Sequence, residues 1–88
     1  MQLDRWLRFS KKEQIGAVAA EILRAQIWQK KDKDKFISAL ERALELIDLT
    51  IEDKRWKQEY LMIFWLRDEI AKFYLGIGGD ISMLYRYI

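Results

Sequence analysis

Apolar residues recur along this chain at helical intervals, and no segment alternates with period two over a strand's length. The pattern therefore predicts helices and no sheet. A first helix spans about 10–30, with Ile15, Val18, Ile22 and Ala25 on one side. Ser10 and Glu13 have capping-box spacing at its start. The run KKDKDK at 30–35 is a polar connector in which Asp32 or Asp34 can cap the next helix. A second helix covers about 35–50. Phe36, Leu40, Ala43, Leu44, Ile47 and Ile51 form its apolar face, and Ser38, Glu41, Glu45, Asp48 and Glu52 the opposite one. A third covers about 53–75, with Thr50 and Asp53 as a capping pair.

The second and third helices cannot form one rod. At about 100° per residue their apolar arcs point roughly 190° apart, so a turn is expected near 49–53. Gly76, Gly78 and Gly79 end the third helix. Asp80 then caps a short terminal helix with Ile81, Leu84 and Ile88 on one side, and Leu3 to Phe9 form a turn or two at the start. The expected fold is all-α: one domain, 1–88, an antiparallel bundle of three main helices with short helical segments at both ends.

Composition narrows the chemistry. The 88 residues are 51% hydrophobic and 34% charged, which argues against disorder. There is no cysteine, hence no disulfide and no thiolate metal site. There is no histidine, the commonest general base and transition-metal ligand. The longest apolar run, Tyr60 to Leu66, has seven residues where a membrane span needs about 20. The charged opening MQLDRWLRFSKKEQ has no signal-peptide core, so a cytoplasmic location is expected, with no membrane partner. Abundant Lys, Glu and Arg without Asn is a mix common in thermophiles.

Helix one carries an apolar surplus. Gly16, Ala20, Leu23 and Ile27 form a second stripe roughly 120° from the first. A three-helix monomer has few elements left to cover it, and the small residues admit a close second backbone. The stripe is therefore read as an interface with a second copy or with an unknown protein partner, a homodimer being the expected state; the alternative is that the terminal segments cover it within one chain. Leu61 and Trp65 on helix three sit in its polar arc beside Asp68 and Lys72, which marks them either as interface anchors or, since 60–66 is wholly apolar, as part of a central helix contacted all round. Arg67 falls near the middle of that helix's apolar arc, where a guanidinium needs a partner. Glu21 is the expected one, as a buried structural ion pair, with Gln14, Gln26 and Gln29 facing inward nearby.

Other features point to ordinary surface. Glu41, Glu45 and Asp48 lie opposite the core rather than projecting inward as carboxylates do in di-metal bundles. Lysines and arginines cluster near the start, at 30–35 and at 54–57, which the topology sends to opposite ends. A phosphate-backbone site wants one footprint, so nucleic acid is not the expected partner. The glycines at 76–79 come after a helix and lack the lysine of a phosphate loop. Ser10, Ser38 and Ser82 have no histidine to activate them.

Three strings, VAAEILRA at 18–25, ERALELIDLTI at 41–51 and LRDEIAKFYLG at 66–76, resemble a group of small uncharacterised all-helical bacterial cytosolic proteins with no assigned activity. That resemblance implies a small helical protein and supplies no catalytic residues. A looser similarity is to helical RNase bundles of the HEPN type, which use an Arg with a His a few residues beyond it. Arg67 has no such His, which argues against that activity.

The expected function is thus a non-enzymatic, self-associating interaction module without cofactor or metal. Its interface residues would be Gly16, Ala20, Leu23, Ile27, Leu61 and Trp65. The alternative is a nucleic-acid-associated accessory protein partnering a nucleotide-handling enzyme. A third reading is an anion or ligand pocket at Arg67.

Overall fold

The computed structural model describes residues 2–85. Its helices are α1 (Leu3–Trp6), α2 (Lys11–Trp28), α3 (Lys33–Ile51), α4 (Tyr60–Tyr74) and α5 (Ser82–Tyr85), with a 3-10 helix over Lys54–Glu59. No strand occurs among the described residues. The three long helices and two short terminal ones are those the pattern predicts.

Local chemistry sets the boundaries. At α2 the Ser10 hydroxyl accepts from the Glu13 N–H (3.0 Å) and the Glu13 carboxylate accepts from the Ser10 N–H (2.9 Å). Both halves of the capping box are made, and the Ser10 N–H pulls the Glu13 carboxyl below its ordinary range. Asp32 caps α3 by accepting from the Lys35 N–H at 3.1 Å. The end of α4 is a Schellman motif. Ile77 N–H donates to the Lys72 carbonyl (2.9 Å), Gly76 N–H donates to the Phe73 carbonyl (3.1 Å), and Gly76 has φ +78°. Asp80 accepts from the Ser82 N–H at 2.9 Å as α5 begins.

The single helix expected over 53–75 is two pieces. Asp53 accepts from the Arg55 N–H (2.9 Å) and its carbonyl from the Trp56 N–H (3.0 Å), which winds the chain tighter than an α-helix. That winding turns Trp56 inward, 5% exposed, before α4 starts.

α3 is the central helix and packs against both α2 and α4. Ala39 and Ala43 are fully buried on it and Ala25 on α2, and small side chains let helices approach closely. Arg67 reaching Asp48 and Tyr74 reaching Glu41 fix α3 and α4 antiparallel. The core is closed by Trp6 and Trp56 at one end and by Ile81 and Leu84 of the C-terminal segment, which packs on α2 of its own chain. Ile88 lies outside the described residues. The radius of gyration is 12.5 Å, close to the roughly 12 Å expected for this length.

One glycine is required by packing. A Cβ at Gly78 would run into the Phe73 ring. Gly78→Ala is expected to cost about 1–3 kcal/mol by displacing that ring. A urea titration checks it, and Gly79→Ala, where a Cβ meets nothing within 4 Å, is the control.

Candidate interaction surface

α4 buries only Ile63, Leu66 and Ile70. With about 100° between residues, Phe64, Leu61, Trp65 and Met62 fill the opposite arc of its first two turns. They are 44%, 87%, 40% and 41% exposed. Together they present on the order of 400 Å² of apolar surface, in the range of the largest patch on an ordinary single chain, which is often functional. The sequence singled out Leu61 and Trp65. Met62 and Phe64 extend the same patch and were missed, because a wholly apolar run from 60 to 66 hides which of its members face out.

Leu23 and Ile27 on α2 are half exposed, and Gly16 and Ala20 are exposed between them and the N-terminus of the helix. The stripe points away from the face made by Gln14, Val18, Ile22 and Ala25. A Cβ on Gly16 meets nothing within 4 Å, so packing within the chain does not demand the glycine. Charge surrounds the far end of this stripe. Leu23 and Ile27 share a cavity of about 370 Å³ with Lys30, Lys31 and Asp80. The six candidate interface residues are therefore all exposed, but they lie on two different helices.

Arg67 does not pair with Glu21. Its Nε donates to Asp48 Oδ1 at 2.8 Å on the outer side of α3–α4, and Glu21 pairs instead with Arg24 at 3.3 Å. The Arg67 side chain is 43% exposed, so the pair is a surface one. Asp48 raises the guanidinium's already high pKa, chiefly through that hydrogen bond. The other acids of α3 are likewise held at the surface. Glu45 accepts from Arg42 at 3.1 Å and Glu41 from the Tyr74 hydroxyl at 3.3 Å. Of the inward glutamines, Gln14 is fully buried. Gln29 ties down the glycine segment by donating to Gly79 O (2.6 Å) and accepting from the Ile81 N–H (2.9 Å), while Gln26 is exposed.

The polar cluster that is buried lies elsewhere. Gln14 Nε2 donates to Trp6 O (3.0 Å) and Asp53 Oδ2 (2.9 Å), and Gln14 Oε1 accepts from Trp56 Nε1 (2.6 Å). Asp53 also takes Arg55 Nε and Nη2, the latter at 2.7 Å, and Arg55 Nη2 donates on to Phe9 O at 2.7 Å. Arg55 holds the Asp53 carboxyl at about 2, below its ordinary 3.8, against the opposing pull of burial. Every buried side-chain donor and acceptor of Trp6, Gln14, Asp53 and Trp56 is answered within the chain, and the Arg55 guanidinium closes the knot from its exposed side. Its geometry is that of a structural clasp, not of a site open to a substrate.

The basic residues are partly engaged as well. Lys11 pairs with Glu59 at 2.9 Å and stands over the Trp56 ring at 4.6 Å, and Lys35 stands over Trp28 at 4.1 Å. No helix among the described residues is long and apolar enough to cross a membrane. Searches against family models, curated proteins and solved structures give no match to this chain.

Proposed function

We propose that this protein is a non-enzymatic helical interaction module that associates with itself through the outward arc of α4. The observation that carries the reading is Leu61, 87% exposed and flanked by Met62, Phe64 and Trp65. Leaving such a patch in water forgoes roughly 25 cal/mol for each Å² that a partner would cover. The non-enzymatic part rests on residue chemistry. The sequence has no histidine or cysteine, and Arg67 and the α3 acids are engaged in surface pairs with one another or with Arg42 and Tyr74. The α2 stripe is a secondary contact, because it offers less apolar area and more neighbouring charge.

Leu61→Glu is expected to leave helicity, and the unfolding midpoint of the dilute monomer, unchanged while weakening self-association at least about ten-fold, since a carboxylate would be desolvated at the centre of the contact. Sedimentation equilibrium over a concentration series reads this. Unchanged association of Leu61→Glu, together with loss of it in Ala20→Arg, would move the interface to α2.

A further inference from the structure

We infer that two copies of this chain pair through α4 in antiparallel register about a two-fold axis at Ile63, closed on both sides by an ion pair between Lys57 and the partner's Asp68. The inference rests on the self-association reading and adds its geometry.

The charge pattern along α4 favours this occupant. Lys57 lies in the 3-10 segment that leads into α4, and Asp68 lies on α4 beyond the apolar patch; both are exposed. Neither makes a salt bridge or a hydrogen bond among the described residues; Asp68 acts at longer range on Arg67 and Lys72 of its own helix, whose direct partners are Asp48 and Glu69. With rises of about 1.5 Å per residue in α4 and about 2 Å in the 3-10 segment, Asp68 stands about 7.5 Å past Ile63 and Lys57 about 10.5 Å before it. A two-fold at Ile63 therefore brings Lys57 to within about 3 Å, along the axis, of the level of the partner's Asp68, inside a lysine side chain's reach.

The same operation places Leu61 level with the partner's Trp65, so the most exposed side chain meets the broadest one. A parallel pair would set Asp68 beside the partner's Asp68 and Lys57 beside the partner's Lys57, and would align the helix dipoles unfavourably. Size fits a dimer of the small class. The patch is about half of the roughly 800 Å² per partner found in standard interfaces, which predicts an association that depends on concentration.

The test uses the whole chain. Lys57→Glu and Asp68→Lys are each expected to weaken the dimer about five-fold in sedimentation equilibrium, and the double variant to recover it, as a coupled charge pair requires. The chain has no cysteine, so orientation can be read by cross-linking. Mixing Leu61→Cys chains with Trp65→Cys chains under oxidation is expected to give the mixed disulfide in excess over both symmetric ones. Excess of the disulfide between two Leu61→Cys chains, or a dimer indifferent to both charge reversals, overturns this register and leaves the self-association reading intact. A wild-type chain that stays monomeric through the concentration series overturns that reading and this inference together.

Discussion

Trp6→Ala is expected to lower stability by about 4 kcal/mol, the range measured for emptying a buried aromatic site. A chain of this length has only about 5–10 kcal/mol in total. The variant should therefore show a urea midpoint reduced by about 40% or more, or no cooperative transition at all. The physical reason is that Trp6, 1% exposed, is the one buried residue of α1. Its ring packs edge-on against Phe9 at 5.7 Å, and its indole N–H donates to the Thr50 hydroxyl at 3.1 Å. Trp6→Phe separates the two contributions. It keeps most of the ring volume, loses the hydrogen bond, and should cost about 1 kcal/mol. A Trp6→Ala midpoint close to wild type would mean that α1 stands outside the cooperative unit.

Gln14→Leu is the second large effect, at about 3 kcal/mol, although leucine is nearly isosteric and more apolar. Gln14 is fully buried, and its amide can be oriented in only one way. Trp6 O and Asp53 Oδ2 can only accept, while Trp56 Nε1 can only donate. Leucine leaves the Trp56 N–H buried without an acceptor, which costs about 1–3 kcal/mol, and it removes one donor from Asp53, whose Oδ2 keeps Arg55. The same cluster makes stability depend on pH. The Asp53 carboxyl titrates at about 2 in the folded chain, chiefly through its hydrogen bonds to Arg55. In the unfolded chain it titrates near about 3.9. Because the folded value is the lower one, the contribution is complete above about pH 4 and is lost as pH falls toward 2, amounting to about 1–2 kcal/mol once screening of the exposed guanidinium is allowed for. Thermal melts from about pH 5 to pH 2 should show this drop in the wild type and a shallower one in Asp53→Asn.

Signals within one turn of the chain were legible, and those across the fold were not. Ser10 with Glu13, Asp32 (one of two caps the sequence offered) and Gly76 are local chemistry: the first two start α2 and α3, and the third ends α4. The exposure of Leu23, Ile27 and Leu61 came from helical phase alone. Arg67 was misplaced for a related reason. Carrying one α-helical phase through 53–75 ignores the tighter turn of Lys54–Glu59, where each residue advances about 120° rather than about 100°. With Trp56 removed from the α4 arc, Ile63, Leu66 and Ile70 define the buried face, and Arg67 falls on its flank toward Asp48. The clasp of Trp6, Gln14 and Trp56 was illegible because its hydrogen bonds join residues 39 and 42 positions apart, and the Trp6 bond to Thr50 spans 44. No periodicity reports such pairings. The hints were a glutamine on the apolar side of helix one and a tryptophan, Trp6, ahead of the regular stripes.

That clasp also sets a timetable. Synthesis delivers α1 and α2 before the residues that complete them, and local contacts form sooner than distant ones. The α2–α3 hairpin can close as soon as α3 has emerged. Trp6 must wait for Thr50, Gln14 must wait for Asp53 and Trp56, and the carbonyl of Phe9 must wait for Arg55. A growing chain therefore carries an uncovered tryptophan and an unanswered glutamine until residue 56 is free of the ribosome. Until then the contacts that tie α1 to the rest of the core cannot form.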